Sequence, residues 1–77
     1  MSTLQPDLST IDPGTTVEIQ SVPDGTTRAR LLRLGFLDGP IECRRRVSNG
    51  PVVVHRNGTD LAIGKSVAED IDVQDVD

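Results

Sequence analysis

The chain reads as a mainly β domain, a small barrel of about five strands with one short helix after the first strand. Three observations predict it. Short segments rich in Val and Ile recur between Pro-Asp-Gly, Asp-Gly-Pro and Asn-Gly turns, which is the rhythm of a small all-β domain. One stretch alone, ending at Leu34, has helical spacing, and Gly35 stops it. The chain has 77 residues with a single Phe and neither Trp nor Tyr, so its core must be small and aliphatic. A sheet that bends and closes on itself compensates for such a core by hiding its strand edges.

Residues 1–13 are polar and interrupted by Pro6, Asp12 and Pro13. They read as a flexible N-terminal arm from which Leu8 and Ile11 reach the core. Gly14 opens the ordered domain, expected over 14–73, and residues 74–77 read as an acidic tail. Thr16–Val22 alternates, with Val17 and Ile19 on one side and Glu18 and Gln20 on the other, which predicts a half-buried strand. Pro23-Asp24-Gly25 is a turn, and Thr26 or Thr27 is the expected N-cap of the helix. Leu31 and Leu34 form its apolar seam, while Arg30 and Arg33 share a more exposed flank. Gly35 belongs at C′, where φ is positive, and Phe36 then packs back on Leu31 as in a Schellman ending. Asp38-Gly39 turns the chain again and Pro40 bars further helix.

Ile41–Val47 is the second strand. Asn49-Gly50 is a strong hairpin signal, and a two-residue turn there pairs residue 44 with 55 and 43 with 56. Val52–His55 is the third strand, its unbroken apolar run suggesting burial on both faces or near-closure of a barrel. Asn57-Gly58 turns into the fourth strand, Leu61–Ile63. Gly64–Ala68 forms a turn or single helical turn, and Ile71–Val73 is the last strand.

Composition excludes several functions. The lone Cys43 forbids an internal disulfide and a multi-cysteine zinc module. The N-terminal residues lack the basic and apolar regions of a secretory signal, and no apolar run approaches the roughly 18–20 residues that span a bilayer. A cytoplasmic protein with no direct membrane insertion is therefore expected. Nine Asp and three Glu outweigh seven Arg and one Lys, for a net charge of −4. That balance, and the absence of stacking aromatics beyond Phe36, speaks against nucleic acid.

The chemical candidates are sparse. Cys43 and His55 lie on neighbouring strands and are the weak metal candidates. The two-residue turn points them to opposite faces, whereas a three-residue loop would bring them together. Even paired, two ligands leave a zinc or ferrous site incomplete. Glu69, Asp70 and Asp72 read as a solvated acidic turn. No nucleophile elbow, triad or phosphate loop is present, so catalysis is not expected. Arg44-Arg45-Arg46 and the helical Arg28, Arg30 and Arg33 are the basic groups. The plainer reading is a solvated face, with the strand arginines pairing with Glu42 and Glu18. The functional alternative is docking of an acidic partner, which the guanidinium fork suits.

The chain resembles the FeoA family, small cytosolic accessory proteins of ferrous-iron transport. The resemblance covers residues 8–73. It rests on Pro13-Gly14, on Arg30-Leu31-Leu32-Arg33-Leu34-Gly35-Phe36 with Gly39 four residues after Gly35, on Gly50-Pro51-Val52, and on Leu61-Ala62-Ile63 followed by Ala68 and Ile71-Asp72-Val73. Gly64 departs from the family, which often carries basic residues directly after that strand. The resemblance implies an SH3-like barrel and no shared catalytic residues. It also implies an accessory role at the cytosolic region of a FeoB-type ferrous-iron permease, with Arg28, Arg30, Arg33 and Arg44 as partner contacts. The same barrel is similar to the C-terminal domain of iron-dependent repressors of the diphtheria-toxin-repressor type. That similarity leaves open a regulatory domain that binds a divalent transition metal such as iron.

Overall fold

The computed structural model describes residues 6–76. Its elements are a 3-10 turn at Leu8–Thr10, β1 (Thr16–Ser21), α1 (Thr26–Leu34), β2 (Ile41–Arg46), β3 (Val52–Arg56), β4 (Thr59–Ile63), α2 (Lys65–Ala68) and β5 (Asp72–Asp75). The strands are antiparallel and form one sheet in the order β4-β3-β2-β1-β5. The expected class, mainly β with one short helix after the first strand, holds.

Val17, Ile41, Cys43, Val52, Val54, Leu61, Ile63 and Val73 come from all five strands yet share one buried cluster. A single face of the sheet therefore wraps the core in the manner of a barrel. No ladder joins the terminal strands β4 and β5. The outer edge of β5 is covered instead by the chain's own start. The Val73 N–H donates to the Pro6 carbonyl (3.0 Å), the Leu8 N–H donates to the Ile71 carbonyl (2.9 Å), and Asp7 bridges Asp72.

This arrangement corrects the reading of residues 1–13 as a loose arm. Leu8 is fully buried and Ile11 nearly so, and both belong to the core cluster. Asp7 caps the 3-10 turn by accepting from the Ser9 N–H at 2.8 Å and from the Ser9 hydroxyl. The ordered domain thus reaches back to at least Asp7 rather than beginning at Gly14. The acidic tail is shortened too, because β5 runs to Asp75 and the Val76 N–H donates to the Thr16 carbonyl (3.3 Å). Residues 1–5 of the expected arm and Asp77 of the expected tail lie outside the described residues.

The end of α1 is as expected. Gly35 has φ 81° and ψ 13°, the Phe36 N–H donates to the Leu31 carbonyl (2.9 Å) and the Gly35 N–H to the Leu32 carbonyl (3.2 Å). These are the paired bonds of a Schellman ending, and Phe36 and Leu31 are both fully buried. Two details of the helix differ. Gly25, not a threonine, occupies the N-cap position, with no side-chain cap. The seam is Leu31 alone, because Leu34 is 37% exposed and Leu32 51%.

The β2–β3 register also differs from the two-residue expectation. Residues 48–50 form a three-residue loop, with the Gly50 N–H on the Val47 carbonyl (2.8 Å) and Asn49 at φ 59°. By itself this shifts the pairing by one and would set Cys43 opposite His55. A bulge at Arg44 shifts it once more, so Cys43 faces Val54 and His55 faces Glu42. The two irregularities restore the original parity: Cys43 points into the core and His55 to the outer face. Val53 likewise faces outward and is half-buried, so β3 is not buried on both faces.

One long-range clasp holds the turn after α1. Arg56 Nε donates to the Gly35 carbonyl (2.9 Å) and Nη1 to the Pro40 carbonyl (2.8 Å). The guanidinium lies so close to Gly39 that a Cβ there would sit 2.8 Å from both Nη atoms. Gly39→Ala is expected to displace Arg56 and to cost about 1–2 kcal/mol, as is Arg56→Ala. Because both remove the same clasp, the double variant should cost no more than Arg56→Ala alone, which urea denaturation of the four proteins checks. Additive losses would contradict the clasp.

Candidate functional site

Charge is segregated along the chain. Residues 28–56 carry all seven arginines against only Asp38 and Glu42, a net of +5. The remaining residues carry ten carboxylates against Lys65, a net of −9. This asymmetry was legible in the sequence and is stronger than the individual arginine runs suggest. That basic sector of the sequence spans α1, β2 and β3.

Helix α1 presents that sector without an acidic residue of its own. Arg28 approaches Asp24 at 3.9 Å, but Asp24 is almost wholly exposed and such a pair contributes little. Arg30 and Arg33 are exposed and have no ion pair among the described residues. Beside them on the helix are Leu32 and Leu34, two of the four exposed large apolar side chains among the described residues. The helix thus anchors through Leu31 and turns a mixed arginine and leucine surface outward. Arginine is enriched in protein-binding surfaces.

Arg44 stands apart. The β2 bulge carries it to the outer face of the sheet, where it meets Glu42 at 3.7 Å and lines a cleft with Gly14, Arg45, Val53 and Asp60. Arg46 pairs with Asp12 at 3.3 Å. The expected pairing of the strand arginines with Glu42 is therefore realised by Arg44, and no ion pair to Glu18 forms among the described residues. Arg28 lines a different cleft, beside β1, so the four arginine candidates occupy two surfaces rather than one.

The metal candidates are kept apart by the register. The Cys43 thiol is buried and directs Sγ toward the Ile11 carbonyl at 3.6 Å. Burial raises its pKa above the usual thiol range, although the Arg45 backbone and Arg46 partly oppose the rise. His55 Nδ1 lies 2.5 Å from Asp60 Oδ1 on the next strand. The pairing places Glu42, His55 and Asp60 in one row on the outer face. Among the described residues no group of three or more His, Cys, Asp or Glu converges as a metal-binding set. Of the acidic end, Glu69 pairs with Lys65 (2.7 Å) and Asp72 accepts from the Ser21 hydroxyl (3.0 Å). Among the described residues no helix is long and apolar enough to cross a membrane.

Sequence reasoning missed Arg56, whose partners lie 21 and 16 residues away in the chain. It also missed that Ile19, Val22 and Leu37 pack against the core only in part and line the cleft beside Arg28.

The comparisons agree with this architecture. The model of the FeoA domain matches residues 7–75. The FeoA protein of Chlorobium tepidum is 31% identical with a TM-score of 0.80, over 94% of this chain and 71% of that one. An iron uptake regulatory protein (FeoA) is 25% identical with a TM-score of 0.76, over 95% of this chain and 100% of that one. The iron(II) transport protein A of Clostridium thermocellum is 26% identical with a TM-score of 0.76, over 92% of this chain and 46% of that one. No curated protein matches.

Proposed function

Because the chain belongs to the FeoA family, matched over nearly all its described residues, we propose that it is a non-enzymatic accessory protein of ferrous-iron uptake. In this reading it acts in the cytoplasm as a docking module on the cytosolic region of a FeoB-type permease, and iron is the transporter's cargo. The observation that carries the reading is α1: three arginines, no carboxylate, and two exposed leucines on an otherwise acidic chain. Such a surface attracts an acidic partner at long range and supplies apolar area for a lasting contact. Arg28, Arg30 and Arg33 are the principal contacts, and Arg44 is a secondary one from its own cleft. The regulatory alternative, a metal-binding domain, finds no support in the placement of Cys43 and His55 on opposite faces.

Reversing charge tests the docking role. The double variant Arg30→Glu, Arg33→Glu is expected to bind the permease's cytosolic region at least about tenfold more weakly than the parent chain. Both side chains are exposed, so thermal unfolding should be nearly unchanged. Affinity equal to that of the parent would remove α1 from the contact.

A further inference from the structure

We infer that Asn57 is a site of spontaneous covalent modification: the Gly58 backbone nitrogen displaces its side-chain amide, and the product loosens the Arg56 clasp. A glycine after asparagine has no side chain to hinder that attack. The chain holds two such pairs, Asn49-Gly50 and Asn57-Gly58. Both asparagines are exposed and both have positive φ, 59° and 54°. What separates them is how the attacking nitrogen is held.

Beside Asn49 the nitrogen is engaged. The Gly50 N–H donates to the Val47 carbonyl at 2.8 Å, and the Val47 N–H donates to the Pro51 carbonyl at 3.2 Å, so two hydrogen bonds tie the loop. The Val47 side chain also crowds Gly50, lying 3.0 Å from where a Cβ would be. Beside Asn57 the nitrogen is free. The Arg56–Thr59 pair closes the turn, and the Gly58 N–H has no hydrogen-bond acceptor among the described residues. A Cβ on Gly58 would meet nothing within 4 Å, and Gly58 is exposed.

The step needs only water. The Gly58 nitrogen bonds to the Asn57 side-chain carbonyl carbon. The side-chain nitrogen leaves with the Gly58 proton as ammonia, which closes a succinimide ring. Water then opens the ring. Cleavage at the side-chain carbonyl leaves aspartate at position 57, and cleavage at the main-chain carbonyl leaves isoaspartate. Either product adds a negative charge next to Arg56. Isoaspartate also lengthens the main chain by one methylene inside a two-residue turn, whose geometry fixes the strand register. Arg56 is the last residue of β3, so the displaced turn draws its guanidinium off the Gly35 and Pro40 carbonyls, now held at 2.9 and 2.8 Å.

Incubating the intact chain in mildly alkaline buffer, then digesting it with trypsin, tests the site. Cleavage after Arg46, Arg56 and Lys65 puts the two asparagines on separate peptides. Fragmentation mass spectra assign the mass gain to position 49 or 57, also where Arg56 escapes cleavage. In the folded chain position 57 should be modified about three- to tenfold faster than 49, the factor set by the hydrogen bond that Gly50 must break. In concentrated urea the two rates should converge. Equal rates in the folded chain, a faster position 49, or modification of position 57 only after unfolding overturns the site. The isoaspartyl chain, separated by ion exchange, should unfold at lower urea than the parent. Most of that difference should vanish when both chains carry Arg56→Ala. A difference of unchanged size there, or none to begin with, overturns the link to the clasp.

Discussion

A chain beginning at Gly14 will not fold. The segment it lacks contributes Leu8, fully buried, and Ile11, nearly so, to the core. Removing a buried Leu or Ile side chain costs about 2–5 kcal/mol each. The truncation also strips the outer edge of β5 of its hydrogen bonds to Pro6 and Leu8. A domain of this length is stable by about 4–11 kcal/mol, so the loss takes most or all of that margin. Circular dichroism and amide dispersion of the truncated chain should report an unfolded polypeptide. A cooperative melt close to that of the full chain would show that residues 6–13 are dispensable. Leu8→Ala in the full chain isolates one contribution, expected to be about 2–5 kcal/mol by urea denaturation.

Phe36→Ala is the second severe change. Phe36 is the only Phe, Trp or Tyr in the chain and the largest fully buried side chain among the described residues. It follows the left-handed Gly35, and its N–H closes the outer bond of the helix ending on Leu31. Truncating it leaves a cavity in a core that has few residues with which to collapse, at a cost of about 3–5 kcal/mol. Phe36→Leu keeps much of the volume and should cost less than about 1.5 kcal/mol. A loss below about 1 kcal/mol for the alanine variant would mean that the α1 turn is not seated in the core as described.

What was legible in the sequence was local. Leu34-Gly35-Phe36 encodes its own helix ending through three adjacent residues, and Asn57-Gly58 encodes its hairpin, with both residues at positive φ. The β2–β3 register was not legible, because it depends on a loop one residue longer than Asn49-Gly50 implies and on a bulge at Arg44 that no local signal marks. Leu8 and Ile11 could be read as reaching the core, but the seating of Asp7 and Leu8 along β5 could not, because that edge exists only where the distant end of the chain returns to the sheet. Of the proposed docking surface, the arginines could be read directly. Their division into two surfaces and the exposure of Leu32 and Leu34 required the packing of α1 through Leu31 alone.

In the proposed function an arginine surface on α1 docks an acidic partner. Calorimetric titration of the intact chain into the permease's cytosolic region, at about 50 and about 300 mM salt, tests it most directly. Saturable binding that weakens several-fold at the higher salt is the predicted result. An affinity indifferent to salt, or no binding at either salt, would contradict it.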